Sequence, residues 1–436
     1  MKNVLYILSL FFGLGISIPL AQEVPGGIQT RSILLLNGTA HLGTGEMINR
    51  SAIVLENGKI VKVMNALTNT INNSDYDSVI DIKDKHVYPG FIAVNSTLGL
   101  VEIGAIRATE DFEEIGTYNP NVRAIIAYNT DSKITPTIRT NGVLLAQVTP
   151  RGGIVSGSSS VVHFDAWNWE DALIKEDIGI HLNWPKFMKS SGWWSTPEDT
   201  KKAKNYMEKT QEINTFFDEA VAYSKASNEG DKDLKLEAMK GLLTGEKTLF
   251  VNVSYIKEIN DVINFKRKYK LKSVVIVGGY DSWMVTDRLK ENNISVIIEH
   301  IHSLPNQTED DIDLPYKLPK LLQDAGVPYC LQYYGSMEQM GTRNLPFVAG
   351  TAIAYGLSYE EGVASITLNA AKILGIEKEL GSIEEGKNAT LFVSEGDALD
   401  MKTSNVVIAF IDGRMINLDN HQSRNYNKYK RKYGLE

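Results

Sequence analysis

Eight short apolar runs in the middle of the chain are the feature that most restricts its fold. They lie at residues 91–95, 143–148, 161–164, 179–183, 249–253, 273–277, 295–299 and 328–332. Runs this short and apolar are typical of parallel strands covered on both faces, and helical patterns separate several of them. Eight strands in this rhythm predict an α/β fold of the TIM-barrel type, (β/α)8. Periodicity alone is equally consistent with a doubly wound open sheet.

The two ends of the chain have a different pattern, with short strands and tight turns. Asn37-Gly38 and Asn57-Gly58 follow apolar runs near the start, and Asp412-Gly413 follows another near the end. Such dipeptides are strong hairpin signals, so both ends are predicted to join in one small composite β-sandwich. The predicted divisions are a first sandwich part at 22–85, a barrel at 86–375, a second sandwich part at 376–420 and a basic tail at 421–436.

The first residues have the pattern of a secretory signal peptide. Lys2 supplies the positive start, residues 4–20 are apolar, and Ala21 precedes polar residues. A run this short with these flanks is typical of a cleaved signal at 1–21 rather than of a spanning anchor. We therefore predict an exported protein, periplasmic or secreted, with no stable membrane anchor.

The net charge and the cysteine content restrict the kinds of binding partner and the ways in which the fold is stabilised. The net charge of −8 disfavours nucleic acid and anionic membranes as partners. Cys330 is the only cysteine, so an intramolecular disulfide is excluded. A small molecule is the expected ligand, and a large apolar core is expected to hold the fold.

Three passages resemble the amidohydrolases, and imidazolonepropionases in particular. Residues 88–92 (YPGFI) resemble the entry to their first barrel strand, residues 364–375 their last barrel helix, and residues 381–391 the return into their β domain. The order and separations agree over nearly the whole chain after the signal segment. The resemblance implies a TIM barrel rather than an open sheet, and a hydrolase acting on carbon–nitrogen bonds other than peptide bonds.

The resemblance also implies divalent metal ions held at the strand ends, where they activate a water molecule. Position by position, the ligands of that family fall on residues that lack both imidazole and carboxylate: Asn95, Thr97, Asn252, Gly278 and Tyr334, the last with Tyr333 as its alternative. Amide, hydroxyl and glycine do not replace imidazole and carboxylate around zinc. We therefore predict no metal site at these positions.

Histidines are the other candidates for chemistry. Four of the seven lie near predicted carboxyl ends of barrel strands: His163, His181, His300 and His302. At strand spacing the rings of His300 and His302 share one face. With His181 across the mouth they could bind zinc or act as acid and base; otherwise they only cap strand ends. The remaining three are assigned to surface or structural positions: His41, His86 and His421.

The glycine-rich run at 151–157 carries no chemistry on this reading. It lacks the Gly-Lys-Ser/Thr ending of a phosphate loop. It is interpreted as a barrel loop whose turns need glycine.

Three classes of function stay open. The first is a hydrolase of the amidohydrolase type with a reorganised active site. The second is a catalytically inactive partner or regulatory subunit of an intact amidohydrolase, and the third is an exported small-molecule binding protein. Fold resemblance alone does not transfer activity. Metal content and co-purification separate these classes, and self-association into a homo-oligomer is also expected.

Overall fold

The computed structural model describes residues 24–189, 201–226, 232–335 and 337–435. The described strands are β1 (Ile33–His41), β2 (Met47–Glu56), β3 (Lys59–Asn65), β4 (Ser78–Asp81), β5 (His86–Pro89), β6 (Phe91–Ser96), β7 (Val143–Val148), β8 (Val155–His163), β9 (Leu173–Asn183), β10 (Met188–Lys189), β11 (Lys201–Lys202), β12 (Thr248–Val253), β13 (Val274–Gly278), β14 (Ile294–Ile298), β15 (Tyr329–Leu331), β16 (Leu391–Ser394), β17 (Val406–Ile411) and β18 (Arg414–Met415). The described α-helices are α1 (Thr135–Arg139), α2 (Trp169–Ala172), α3 (Tyr206–Lys225), α4 (Leu234–Thr244), α5 (Ile256–Tyr269), α6 (Thr286–Glu291), α7 (Leu314–Ala325), α8 (Glu338–Gly341), α9 (Leu345–Ala354), α10 (Tyr359–Ser365), α11 (Leu368–Leu374) and α12 (His421–Lys432). Single 3-10 turns lie at Asn73–Asp75, Arg107–Thr109, Ala124–Ala127, Tyr280–Val285 and Thr342–Asn344.

The predicted signal segment, residues 1–21, lies outside the described residues. Within the described part of the chain, no helix combines the length and the apolar character needed to cross a membrane.

An eight-stranded sheet forms a nearly closed barrel. Its order is β6-β7-β8-β9-β12-β13-β14-β15, so each of the eight predicted runs lies on or overlaps one of its strands. Across the gap between the edge strands β6 and β15, the Asn95 side-chain amide donates to the Gln332 side-chain oxygen at 2.8 Å. Helix α11 contacts both edge strands. Side chains and a helix thus complete the ring that strand hydrogen bonds leave open.

Strand β8 departs from the predicted parallel barrel. It pairs antiparallel with both β7 and β9. The reason is the connection at 149–154, because parallel neighbours need a crossover of a dozen or more residues. His163 therefore pairs with Leu145 near the start of β7. The prediction that His163 lies at the same barrel face as the other strand ends is wrong, since an antiparallel strand ends at the opposite face.

The two ends of the chain meet in a second sheet. Its order is β18-β17-β16-β5-β1-β2-β3, with β4 beside β1. Strand β5 joins the two halves, because it pairs parallel with β1 and antiparallel with β16. Apolar side chains from both ends share one core cluster, including Leu35, Ile53, Leu391 and Phe410. The composite origin of this sheet is visible in its hydrogen bonds, whereas a separate sandwich domain stays a prediction.

Two of the three predicted turns form hairpins. Asn57 and Gly58 join β2 to β3 with φ values of 50° and 79°, and Asp412 and Gly413 join β17 to β18 with 49° and 72°. Left-handed pairs of this kind match the twist of the strands. Asn37-Gly38 instead forms a bulge inside β1. A Cβ at Gly38 would stand 2.6 Å from the Ile82 side chain, so glycine is required there by close packing.

Candidate active site

A polar cavity of about 410 Å³ opens at the carboxyl ends of the barrel strands. Its wall consists of Asn95, Arg151, Asn183, Trp184, Lys186, Asn252, Val253, Ser254, Tyr255, Glu258, Val277, Gly278, Glu299, Asn306, Gln332 and Tyr334. Barrel proteins place their chemistry on this face. Amides, two cations and two carboxyl groups meet here, so the mouth is the candidate site.

Arg151 is the centre of a hydrogen-bond network in this wall. Its Nη1 donates to the Asn95 side-chain oxygen at 2.7 Å. Its Nη2 donates to the Asn95 backbone oxygen at 2.7 Å and to Glu338 Oε1 at 2.9 Å. The same Glu338 oxygen accepts from the backbone nitrogen of Thr97 at 3.0 Å. The loop after β7 is thereby fixed to the end of β6 and to the first residue of α8.

Asn95 takes part in this network because of its backbone conformation. Its φ is 50°, a left-handed value that asparagine tolerates better than most residues. Its backbone nitrogen donates to the Gln147 side-chain oxygen at 2.9 Å. Gln147 donates in turn to Ser159 Oγ at 2.9 Å. The polar groups of the mouth therefore continue downward into the barrel interior.

These residues do not fit a divalent cation at the family's ligand positions. Asn95 and Thr97 already serve Arg151 and Glu338, and a guanidinium within hydrogen-bond distance repels a second cation. Asn252 donates to the Asn183 side-chain oxygen at 2.7 Å. Among the residues that the structure describes, no three side chains of His, Cys, Asp or Glu come together in a way that could hold a metal ion.

The two remaining ligand positions are also unsuited to metal binding. Gly278 has a φ of 104°, and a Cβ there would stand 2.7 Å from the Val253 carbonyl oxygen, so a histidine would be strained. The Tyr334 ring lies under the Arg151 guanidinium at 5.7 Å. Its neighbour Tyr333 packs instead on the ring of His300 at 4.6 Å. Tyr334 is therefore the one of the two that faces the mouth.

His181 lies below the cavity rather than on its wall. It is 1% exposed, its Nε2 is 2.8 Å from Ser159 Oγ, and its ring stacks on Phe250 at 4.8 Å. Burial, assisted by the charge of Arg151, lowers the pKa of His181 well below its usual value. A neutral ring packed this way supports the strands beneath the mouth.

His300 and His302 lie beside the mouth, outside the cavity wall. Their rings are 5.5 Å apart, and both residues follow the end of β14 instead of lying in the strand. His302 Nε2 is 2.7 Å from Thr351 Oγ1 on α9, and the ring of His300 contacts Tyr333. Burial, with a smaller effect from His302, lowers the pKa of His300 to about 4. The structure does not bring His181 to this pair, because His181 is held at Ser159.

Glu299 occupies the cavity wall next to these histidines. It follows β14 directly, and Ser254 Oγ donates to its Oε2 at 3.3 Å. Burial raises the pKa of the Glu299 carboxyl, while the Ser254 hydrogen bond and the charge of Lys186 oppose the shift. The carboxyl group of Glu299, rather than the ring of His300, therefore lies on the cavity wall.

Two further carboxyl groups belong to residues that, like Glu299, are hydrogen-bonded to Ser254. Glu258 accepts from the backbone nitrogen of Phe187 at 2.6 Å, and burial raises its pKa despite backbone hydrogen bonds. Asp281 accepts from the backbone nitrogen of Ile256 at 2.9 Å, and burial raises its pKa to about 6, with Asp310 adding to the shift. This side of the mouth therefore holds protons more readily than ordinary carboxyl groups do.

A second polar cluster joins the β sheet to α10. We call it the interface cluster; its members are His41, His86, Tyr88, Tyr359, Glu360 and Asp397. His41 Nδ1 is 2.7 Å from Glu360 Oε1, and His41 Nε2 is 3.0 Å from His86 Nδ1. Tyr359 Oη donates to Asp397 Oδ1 at 2.6 Å. His41 and His86, assigned to surface or structure from the sequence, thus meet in a part-buried contact between the second sheet and α10.

Sequence reasoning missed Arg151 and Glu338. The glycine run at 151–157 was interpreted as a loop, and its first residue carries the central charge of the mouth. A signal was available, since Arg151 follows the carboxyl end of a barrel strand by three residues, on the face where sites lie. No signal in the sequence joins Arg151 to Glu338, because 187 positions separate them.

The nearly closed barrel and its polar mouth define a protein of the TIM-barrel type with a candidate site at the strand ends, and comparison with known proteins supplies the family. The family model described as "Amidohydrolase family" matches residues 179–416. The chain belongs to the amidohydrolase family.

Two imidazolonepropionases are among its relatives. That of Shouchella clausii is 33% identical over 90 residues, which are 20% of each chain. That of Flavobacterium psychrophilum is 25% identical over 193 residues, which are 38% of this chain and 47% of the relative. The chain thus matches less than half the length of either relative.

Solved structures agree over a longer span. An amidohydrolase from Thermotoga maritima has a TM-score of 0.76 at 25% identity, and the match covers 88% of this chain and 99% of that one. An adenosine deaminase from Xanthomonas campestris has a TM-score of 0.51 at 12% identity, covering 92% of this chain and 98% of that one. The second likeness concerns the fold alone.

Proposed function

We propose that this chain is a hydrolase acting on carbon–nitrogen bonds, other than peptide bonds, of a polar small molecule bound in the barrel mouth. The observation that carries the proposal is Glu299, a carboxyl group with raised pKa on the cavity wall. A carboxyl group whose pKa is raised toward the working pH is a better general acid–base group than an ordinary carboxyl group. The site is reorganised, because the family's metal ligands are replaced.

The proposed chemistry uses Glu299 in both directions. As a base it accepts a proton from a water molecule while the water oxygen bonds to the carbonyl carbon of the ligand. As an acid it then returns that proton to the nitrogen as the carbon–nitrogen bond breaks. Fixed N–H donors of the mouth stabilise the negative charge that develops on the carbonyl oxygen, a preorganised effect that needs no metal.

A Glu299→Gln variant tests this proposal. The probes are small cyclic amides, imides, lactams and imidazolones, and hydrolysis is followed by mass spectrometry. For a compound that the wild type hydrolyses, turnover should fall by about 10²- to 10⁴-fold, as expected for loss of a general acid–base group. The matched control is Glu309→Gln, which changes an exposed glutamate. A Glu299→Gln variant that turns over the same compound at the wild-type rate contradicts the proposal.

A second candidate function is a non-catalytic small-molecule binding protein. Five amide side chains on the wall favour it: Asn95, Asn183, Asn252, Asn306 and Gln332. Amides donate and accept hydrogen bonds but do not exchange protons near neutral pH. Binding of a probe compound without its hydrolysis, measured by calorimetry and mass spectrometry on one sample, selects this candidate over the first.

Export, self-association and association with an intact amidohydrolase remain predictions. N-terminal sequencing of protein from the native envelope fraction checks whether residues 1–21 are removed. Co-purification from the same fraction checks for a second amidohydrolase, and light scattering on the purified protein gives its oligomeric state. Recovery of intact Met1 in the cytoplasmic fraction would contradict export.

A further inference from the structure

We infer that the Arg151 guanidinium is a permanent replacement for the family's divalent cation, and that it binds a carbonyl or carboxylate oxygen of the ligand. For the location of the site, this inference rests on the proposed function. It adds which residue holds the ligand and which kind of bond the site is able to hydrolyse.

The position of the guanidinium is the first argument. Asn95 and Thr97 stand where the resemblance places two metal ligands. Arg151 donates to both oxygens of Asn95, and the Glu338 carboxylate that it binds also accepts from the hydroxyl of Thr97 at 3.3 Å. One cation is thus held among the oxygens at these two ligand positions.

The unused donors are the second argument. A guanidinium has five N–H donors, and the contacts of Arg151 with the described residues use three of them. The Nε donor and one Nη1 donor are left. The side chain is 18% exposed and lines the cavity. These two donors are available for an oxygen of a bound ligand.

The charges of Arg151 and Glu338 limit the reactions that this pair is able to support. The Arg151 guanidinium carries a positive charge, and Glu338 at 2.9 Å balances this charge. A guanidinium donates hydrogen bonds but does not ionise a water molecule as a bound metal does. Water must then be activated by Glu299. The ligands within reach are those with an already electrophilic carbonyl, such as imides and other activated cyclic amides.

An Arg151→Ala variant with added methylguanidinium tests the replacement. The variant should unfold at a lower temperature than the wild type, because Glu338 loses its buried partner. Millimolar methylguanidinium should restore at least half of the lost unfolding temperature, since it refills the vacated cation position, and Zn²⁺ or Mn²⁺ should not. The control is Arg267→Ala, an exposed arginine, which should show no rescue.

Two measurements that compare the full-length wild type with variants complete the test. Neither measurement depends on enzymatic turnover. After incubation with Zn²⁺ and Mn²⁺, metal analysis should find no ion that the wild type binds stoichiometrically and the Asn95→Ala variant does not. Acetate, a minimal carboxylate, should raise the unfolding temperature of the wild type more than that of Arg151→Lys at constant ionic strength. A stoichiometric mouth metal, rescue of Arg151→Ala by Zn²⁺ alone, or equal acetate responses would each overturn the inference. None of these outcomes changes the loss of activity expected for Glu299→Gln. Failure of this inference is therefore distinguishable from failure of the proposed function.

Discussion

The barrel mouth and the interface cluster contain similar polar side chains but differ in what those side chains face. In the interface cluster, His41 contacts both Glu360 and His86, and Tyr359 contacts both Tyr88 and Asp397. These groups bond mainly to one another, but they also border a cavity of about 420 Å³, and Glu360 Oε2 has no hydrogen-bond partner among the described residues. In the mouth, Glu299 and part of the Arg151 guanidinium face a cavity of about 410 Å³.

The comparison shows that residue type alone does not mark a site. Two histidines and two acids, the usual signature of chemistry, hold the β sheet against α10. The candidate chemistry of the mouth rests on an arginine, a glutamate and amides. Both regions border a cavity, and what distinguishes the mouth is its position at the carboxyl ends of the barrel strands. Variants in the cluster should therefore change stability, whereas variants in the mouth should change ligand binding or pH dependence.

The largest expected effect on stability is that of His41→Ala. His41 is 4% exposed and stacks on Tyr88 at 4.4 Å. Its removal leaves the half-buried Glu360 without its partner, so the free energy of unfolding should fall by about 3 kcal/mol. Denaturant titration measures it, with His421→Ala in the exposed tail helix as control. A loss of turnover without a loss of stability would move the cluster into the class of functional sites.

A smaller effect is expected from Asp281→Asn, next to the mouth. The pKa of Asp281 is raised to about 6 in the folded protein, against about 3.9 in an unfolded chain. The folded state therefore holds the proton more tightly, and this stabilising contribution is lost as pH rises from about 4 through 6.

The Asp281→Asn variant does not titrate at this position, so this part of the pH dependence should disappear. Relative to the wild type, the variant should gain roughly 1–2 kcal/mol between pH 4 and pH 7. Urea titrations at both pH values measure the difference. Asp287→Asn, whose side chain is 87% exposed, should keep the wild-type slope. An unchanged slope in Asp281→Asn would contradict the raised pKa.

The smallest effect is expected from His300→Phe, which keeps the ring against Tyr333. The pKa of His300 is lowered to about 4, so its contribution to stability is present above about pH 6.5 and is lost as pH falls toward 4. Because the ring is only partly buried, we expect at most about 1 kcal/mol after solvent screening. The variant should lose this acid sensitivity, measured by thermal unfolding at pH 5 and pH 7.5.

Turnover distinguishes the roles of the His300 pair. His300→Phe and His302→Ala should both keep it, because neither ring lies on the cavity wall. Abolished turnover at unchanged stability would restore the histidines to the catalytic role that their spacing suggested.

Most of the barrel could be read from the sequence because short apolar runs record burial on both faces of a strand. The runs at 143–148 and 249–253 lie directly on β7 and β12. The direction of β8 was predicted wrongly as parallel, since apolar character is the same for either direction. The six-residue connection at 149–154 contained the missing information, because it is too short for a parallel crossover.

What the sequence by itself determined is the family, the composite origin of the β sheet and the absence of imidazole and carboxylate from the usual ligand positions. These follow from local composition and spacing. Tertiary structure alone decided what stands there instead. Arg151 and Glu338 are far apart in the chain, and only barrel closure brings their charges to 2.9 Å. Glu299 rather than His300 lines the mouth, and only the closed barrel defines which of these two residues after β14 lies on the inside.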